Sequence, residues 1–153
     1  MDMDHANSAP RALLVALLAS ALIAIPVATP EASAAPTTKE RKVLDMVNAA
    51  RDKRGLKTLS MNEKLRRKAH RHSVRMSKEG RIFHHSCLSC LASGDWSTIG
   101  ENVAKAKTIR KAHRALMRSP GHRQNILCGC YRKAGMGVAK RGGWFYVTQI
   151  FLG

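Results

Sequence analysis

The fold is decided by the stretch GWFYVTQIF, residues 143–151, near the carboxyl end of the chain. Successive side chains of a β-strand point to opposite faces of the sheet, so this stretch divides into two sets. One face carries Trp144, Tyr146, Thr148 and Ile150, and the other carries Phe145, Val147, Gln149 and Phe151. Both sets are mostly apolar, so both faces of the strand must be covered. We therefore predict a central strand with helices on each side.

Three segments that precede this strand in the chain also have predicted secondary structure. AGMGVAK, residues 134–140, is predicted to form a second strand, and Arg141-Gly142-Gly143 supplies the hairpin turn between the two. ENVAKA, residues 101–106, and TIRKAHRALMRS, residues 108–119, are both predicted to be helical.

Two further helices are predicted closer to the amino end. Apolar residues at helical spacing indicate a first helix, with Thr38 as its N-cap and Gly55 as its stop. The second helix is expected to open with a capping box formed by Ser60 and Glu63, and to end at Gly80.

Residues 1–34 have the pattern of an export signal. Arg11 precedes an apolar run over residues 12–25, and Ala32-Ser33-Ala34 is a small-x-small cleavage pattern. The run is too short to span a bilayer, which needs about 20 residues, so a membrane anchor is the weaker interpretation. We therefore expect cleavage after Ala34, a single domain over residues 35–153, and a secreted, extracellular protein.

The chain is strongly basic. It carries 27 Lys and Arg against 10 Asp and Glu, a formal net charge of +17. Cleavage after Ala34 would remove one basic residue, Arg11, and three acidic residues, leaving 26 basic and 7 acidic residues. A charge this large on a small domain favours attraction to polyanions in general, such as teichoic acids, anionic lipid, polysaccharide or nucleic acid.

Four cysteines, Cys87, Cys90, Cys128 and Cys130, are the only ones in the chain. An even number in a small exported domain favours two disulfides. A bridge between Cys128 and Cys130 in extended backbone would approach the Cα–Cα limit of about 7 Å, so we favour bridges from the first pair to the second. The alternative is a four-cysteine zinc site, which export disfavours.

Five ordered segments together carry a family resemblance. They are AHRHSVRM (69–76), FHH (83–85), GENVA (100–104), SPGHRQNIL (119–127) and YVTQIF (146–151). The set resembles the CAP superfamily of cysteine-rich secretory proteins, antigen 5 and pathogenesis-related class 1 proteins, in its short bacterial secreted form. The resemblance covers essentially all of residues 35–153. It implies an α+β fold, an α-β-α sandwich with a small antiparallel sheet between helices, here stapled by disulfides.

The resemblance also implies a central cleft. Eukaryotic members line this cleft with two histidines and two glutamates that can hold a divalent cation. His85 matches the first histidine and Glu101 the first glutamate. Ser119 occupies the position of the second glutamate and Tyr146 that of the second histidine. Bacterial members share the SPGHR segment, so His122 is the candidate additional cleft residue.

Only two of the four family cleft residues are present in this sequence, and this limits the chemistry that we expect. A catalytic metal site usually has three protein ligands, so His85 and Glu101 alone predict only weak binding of a divalent cation such as Zn or Mg. A histidine and a carboxylate facing one cavity could still perform acid–base chemistry. A Cys–His hydrolase using Cys87 with His84 or His85 is disfavoured, because Cys87 is expected to be bridged. His72, on the inner face of its helix, is interpreted as a core residue.

Three functions follow from these observations. The favoured one is a secreted, non-catalytic binding module for an anionic lipid, a cell-wall polymer or another extracellular protein. The first alternative is a metal-assisted hydrolase or peptidase centred on His85 and Glu101. The second is a cationic antimicrobial or polyanion-binding protein that acts by charge. We expect a monomer with no transmembrane anchor and no specific nucleic-acid partner, because few aromatic residues are free for base stacking.

Overall fold

The computed structural model describes residues 35–153; the predicted signal peptide and its cleavage site fall on residues 1–34, outside the described residues. The elements in chain order are α1 (Thr38–Asp52), β1 (Ser60–Met61), α2 (Glu63–Glu79), a 3-10 turn (Ser89–Leu91), β2 (Ile99–Ala106), α3 (Ile109–Arg118), α4 (Pro120–Leu127), β3 (Lys133–Arg141) and β4 (Trp144–Leu152). Within residues 35–153, no helix has the length and apolar character needed to cross a membrane.

The four strands form one sheet in the order β1-β3-β4-β2. β4 lies between β3 and β2 and is antiparallel to both, so the predicted central strand and the predicted hairpin are confirmed. β1 adds two residues parallel to β3, and the sheet is therefore mixed rather than wholly antiparallel. The parallel pairing arises because the short segment between α1 and α2 runs beside β3, where the Ser60 N–H donates to the Arg132 carbonyl.

Helices cover both faces of the sheet. On one face lies α2, where Leu65 and Ala69 pack against Ile150, and Met76 packs with Tyr146. The opposite face is covered by α1, α3 and α4. The core on that side contains Val43, Val47, Ile109, Ala112, Leu116, Ile126, Val147 and Phe151. The expected α-β-α sandwich is confirmed.

The contact between α2 and β3 depends on two glycines. A Cβ atom at Gly135 would overlap the backbone of Leu65, and one at Gly137 would overlap the backbone of Ala69. Helix and strand approach each other this closely only because neither glycine carries a side chain. The backbone of α2 is thereby held directly against the sheet.

ENVAKA forms most of β2, so the prediction of a helix there is wrong. The strand pairs with β4 from Ile99 opposite Leu152 to Ala106 opposite Phe145. Residues 100–104 are all buried, so the segment shows no alternation of buried and exposed positions of its own. Tertiary pairing with the central strand therefore determines the structure of this segment.

Two helix caps also differ from prediction. α1 is capped by Thr37 instead of Thr38, in a capping box with Glu40. α2 begins after Asn62, whose side-chain oxygen accepts a hydrogen bond from the Leu65 N–H at 3.0 Å. Ser60 lies in β1 and therefore does not cap the helix. The predicted stop of α2 at Gly80 is confirmed, and this glycine has a φ of 73°.

Both disulfides are local. Cys87 is joined to Cys90 and Cys128 to Cys130, so the prediction of two disulfides is confirmed and the prediction of cross-bridges is wrong. A turn brings the Cα atoms of Cys128 and Cys130 to 5.2 Å, well inside the usual limit. Leu91, beside Cys90, packs with α2, whereas Cys128 packs against the core on the opposite face. The sheet therefore separates the two cysteine pairs.

Candidate functional site

A buried carboxylate, Glu101, lies at the centre of the candidate site. It is the third residue of β2, an edge strand of the sheet, and its side chain is 2% exposed. Its Oε1 accepts a hydrogen bond from Nδ1 of His85 at 2.5 Å. Its Oε2 accepts from Nδ1 of His84 at 2.8 Å and from the backbone N–H of His85 at 3.0 Å. Both carboxylate oxygens are therefore engaged.

The environment of Glu101 favours its ionised form. Burial by itself raises the pKa of the carboxyl, but the hydrogen bonds from His85 and His84 outweigh it, and the pKa lies below its usual range. An ionised carboxylate can only accept hydrogen bonds, so Nδ1 of each histidine carries a proton. Glu101 thus orients both rings and fixes the proton at their Nδ1 atoms.

The two histidines reach Glu101 because the chain turns sharply after α2. Gly80 has left-handed backbone geometry and ends the helix. Its carbonyl accepts a hydrogen bond from Nζ of Lys105, on β2, at 2.6 Å. Phe83 then lies against two guanidinium groups, 4.9 Å from Arg75 and 4.6 Å from Arg81. These contacts hold the start of the loop between α2 and β2.

A third histidine, His72 of α2, joins the cluster. Its ring is buried and stacks on the ring of His85, with centroids 3.8 Å apart. Its Nε2 donates to the carbonyl of Phe83 at 2.7 Å, and its Nδ1 accepts from Nη2 of Arg75 at 3.1 Å. Burial lowers the pKa of His72. The ring is therefore neutral, and both of its nitrogens are engaged.

His72, His85 and Glu101 are close enough to be considered as metal ligands, since one ligand atom from each lies within 4.8 Å of the others. His72 and Glu101, however, are already engaged by neighbours, and Nε2 of His85 is the ring nitrogen that keeps a lone pair. A metal at His72 would have to displace the Arg75 guanidinium, a cation, from Nδ1. The oxygens of Glu101 are bound to imidazole protons. In this arrangement the three residues do not fit a three-ligand metal site.

His122 and Ser119 lie at the other side of the β2 edge. The Ser119 hydroxyl is 2.9 Å from Nδ1 of His122, and the His122 ring lies 6.4 Å from that of His84. The carbonyl of His122 accepts from the Asn102 amide at 2.9 Å, which ties α4 to the sheet. Burial, with a smaller contribution from His84, lowers the pKa of His122.

The structure thus distributes the five predicted cleft residues in three places. His85 and Glu101 are in contact, and Ser119 and His122 form a second pair. Tyr146 is buried with Met76 and lies opposite Lys105, four residues along β2 from Glu101, so it is not part of the cluster. The contacts of His72 and His84 with this cluster were not predicted from the sequence. The doublet His84-His85 was the available signal, because adjacent loop histidines can both turn to one carboxylate.

Solved structures of other proteins share this architecture. An extracellular protein from Bacillus anthracis that contains an SCP domain superposes with a TM-score of 0.65 and 24% identity, over 74% of this chain and 40% of that one. The structure of NaASP2 with Zn2+ superposes with a TM-score of 0.56 and 16% identity, over 80% of this chain and 82% of that one. At these identities the likeness shows the fold alone.

Sequence comparison gives the family. Residues 44–151 match the model of CAP, the cysteine-rich secretory protein family. The chain is also 34% identical over 134 residues to the protein YkwD of Bacillus subtilis (strain 168), covering 82% of this chain and 51% of YkwD. This chain belongs to the CAP family and is of the bacterial type. It spans about half the length of YkwD.

Proposed function

We propose that this CAP domain is an exported, non-catalytic binding module for an anionic component of the cell envelope. The observation that carries the proposal is that Glu101 and His72 are committed to hydrogen-bond partners within the cluster and its supporting loop. Glu101 accepts three hydrogen bonds, and His72 uses both ring nitrogens. With the carboxylate and the buried ring engaged in this way, the cluster stabilises the loop, and the acceptor atoms that it keeps are Nε2 of His84 and of His85.

Among the described residues, we find neither a free cysteine nor a serine in a catalytic triad that could act as a nucleophile. The four cysteines are all disulfide-bonded. Ser119 contacts His122, but the carboxylate that would orient such a base, Glu101, is bound to His84 and His85 instead. Triad chemistry requires nucleophile, base and acid in one chain of hydrogen bonds, and here the chain is broken between His122 and Glu101.

The alternative, a metal-assisted hydrolase, receives support from NaASP2, a protein of the same fold that was solved with Zn2+. Against it, His72 and Glu101 would have to exchange their present partners to bind a metal. The charge favours the binding proposal, since 26 basic residues face 7 acidic ones after residue 34. A positively charged surface attracts polymers and lipids that carry phosphate or carboxylate groups.

The test measures binding of the purified protein to four probes at about 0.15 M salt. The probes are poly(glycerol phosphate), phosphatidylglycerol vesicles, DNA and phosphatidylcholine vesicles. We expect saturable binding to at least one of the first two and none to the neutral lipid. Equal binding to every polyanion, including DNA, with a steep salt dependence would instead favour a protein acting by charge alone. A hydrolytic activity lost in both His85→Ala and Glu101→Gln would overturn the proposal.

A further inference from the structure

A polar pocket lies beside the His/Glu cluster, between α2 and the disulfide loop. Its volume is about 300 Å³, large enough for a small charged group with its substituents. It is lined by Lys68, Arg71, His72, Arg75, His85, Cys90 and Leu91. No acidic residue is among those that line it. The carboxylate of the neighbouring cluster, Glu101, is buried and accepts hydrogen bonds from His84 and His85.

Three cations project toward this pocket from one helix. Lys68, Arg71 and Arg75 follow each other at intervals of three and four residues, which places them on the same face of α2. A solvated basic helix face needs no pocket, but here the face borders a concavity whose opposite wall is the loop carrying the Cys87–Cys90 disulfide. The positive charge is therefore concentrated around a partly open concavity.

Two of the three cations are already held in place. Nη2 of Arg75 donates to His72, and its guanidinium lies over the Phe83 ring. Nζ of Lys68 donates to the carbonyl of Leu91 at 2.7 Å and to that of Cys90 at 3.3 Å. Side chains fixed before a ligand arrives lose less conformational entropy when they bind it. Arg71 is exposed and makes no hydrogen bond or ion pair within residues 35–153.

We propose that this pocket binds the phosphate of a phosphodiester, the group shared by envelope polymers and anionic lipid headgroups. This inference rests on the proposed function and assigns its ligand chemistry. Guanidinium forks match the spacing of phosphate oxygens, and two arginines with a lysine can contact a tetrahedral phosphate from several directions. A carboxylate holds its two oxygens in one plane, whereas a phosphodiester arranges two non-bridging and two ester oxygens tetrahedrally around phosphorus, which suits donors from several directions better.

The test compares two double variants with equal loss of charge. Arg71→Gln with Arg75→Gln removes the guanidinium groups of the pocket. Arg110→Gln with Arg114→Gln removes two exposed arginines of α3, on the other face of the sheet. Affinity for poly(glycerol phosphate), for phosphatidylglycerol vesicles and for polyglutamate is measured at about 0.15 M salt. Arg71→Gln alone serves as the variant that leaves the hydrogen bond to His72 intact.

We expect the pocket variant to raise the Kd for a phosphate probe by about tenfold or more, which is the value of one charged hydrogen bond. The α3 variant should change it by less than about twofold, as for a remote surface charge. If the pocket variant loses affinity for poly(glycerol phosphate) alone, the polymer is the source of the phosphate. If it loses affinity for the phosphatidylglycerol vesicles alone, the source is the lipid. Arg71→Gln should show a smaller loss than the pocket double variant, with an unchanged thermal midpoint.

Two results would overturn the inference, and they differ from failure of the proposed function. If the pocket variant and the α3 variant weaken phosphate binding equally, the wild-type protein binds by general charge and the pocket has no special role. If polyglutamate binds as tightly as the phosphate polymer and depends equally on Arg71, the pocket recognises carboxylates instead. If the wild-type protein binds none of the anionic probes, the proposed function itself fails.

Discussion

Arg75 donates a hydrogen bond to Nδ1 of His72 at 3.1 Å, from one turn further along α2. The same ring donates from Nε2 to the Phe83 carbonyl. A neutral imidazole has one donor and one acceptor nitrogen, so this pair of contacts leaves His72 with no free lone pair. The cluster therefore has residues in the positions of a metal site, but because Arg75 occupies Nδ1, His72 has no lone pair with which to bind a metal.

The first prediction concerns zinc. A site filled at 100 times its Kd would stabilise the fold by about 2.7 kcal/mol, which raises the thermal midpoint by several degrees. We expect no such rise when Zn2+ is added to wild-type protein previously treated with a chelator, as measured by differential scanning fluorimetry. A zinc-dependent rise that disappears in both His85→Ala and Glu101→Gln would show that the cluster exchanges its hydrogen bonds for a metal.

The second prediction concerns Glu101→Gln. The neutral amide keeps one acceptor oxygen and places an NH2 group against histidine protons that Glu101 now accepts. The largely buried His85 ring loses a charged partner and a polar amide is buried against it, so we expect a loss of about 2 kcal/mol in the free energy of unfolding, measured with urea at pH 7.

Glu79→Gln is the matched control. Glu79 pairs with Arg81 at the exposed end of α2, and its side chain is 37% exposed. Removal of this surface ion pair should cost less than about 0.5 kcal/mol. Equal losses in the two variants would mean that Glu101 contributes no more than a surface charge.

The sequence predicts the centre of this fold better than its edges. The two apolar faces of residues 144–151 could belong only to a covered central strand, and the hairpin follows from Gly142 and Gly143. ENVAKA, by contrast, is short and has no clear apolar face, so pairing with β4 determines its structure. An edge strand of this kind cannot be identified until its partner is known.

The candidate site was likewise predictable only in part from the sequence. Glu101 and His85 are recognised from motif resemblance, and the structure places them in contact. The role of Arg75 could not be predicted, because its contact with His72 depends on rotamers and on the path of the loop after Gly80. The disulfide pairing failed for a related reason, since the turn between Cys128 and Cys130 is a local feature that an extended-chain estimate ignores.

The third prediction concerns the glycines under α2. A methyl group at Gly137 would overlap the backbone of Ala69, and no flexible side chain is available to move aside. Helix and strand must then separate, so we expect Gly137→Ala to lower the free energy of unfolding by about 3 kcal/mol or more in urea denaturation.

Gly121→Ala controls for the change of residue type. A Cβ at Gly121, in the first turn of α4, meets nothing within 4 Å. The variant should differ from wild type by less than about 1 kcal/mol, with a tendency to stabilise because alanine has less freedom in the unfolded chain. If Gly137→Ala were equally neutral, the direct contact of α2 with β3 would be wrong.

The fourth prediction maps the disulfides. Trypsin cuts after Arg81 and Lys105 and after Arg123 and Arg132, and each resulting peptide contains one cysteine pair. Without reduction, mass spectrometry should find residues 82–105 and 124–132 as separate peptides, each two hydrogens lighter than its reduced form. A single species containing both peptides would restore the cross-bridged pairing, and four free thiols with bound zinc would exclude both.

The last prediction concerns pH. Burial lowers the pKa of His72, with smaller contributions of the same sign from His85 and Arg75, and it outweighs the hydrogen bond to the Phe83 carbonyl and the attraction of Glu101, which raise the pKa. The unfolded chain therefore takes up a proton at His72 as the pH falls through about 6.5, before the folded protein does. Stability contributed by the neutral ring is complete above this value and is lost on acidification toward the folded-state pKa.

His72→Gln isolates this contribution, because the amide can donate to the Phe83 carbonyl and accept from Arg75 but does not titrate near neutral pH. We expect the variant to be less stable than wild type at pH 7.5, and to lose less stability between pH 7.5 and pH 5.5 in urea titrations. If wild type instead lost less stability than His72→Gln as the pH falls, the His72 ring would be protonated in the folded protein. That result would also require Arg75 to leave Nδ1, and it would remove the fixed guanidinium on which the phosphate pocket depends.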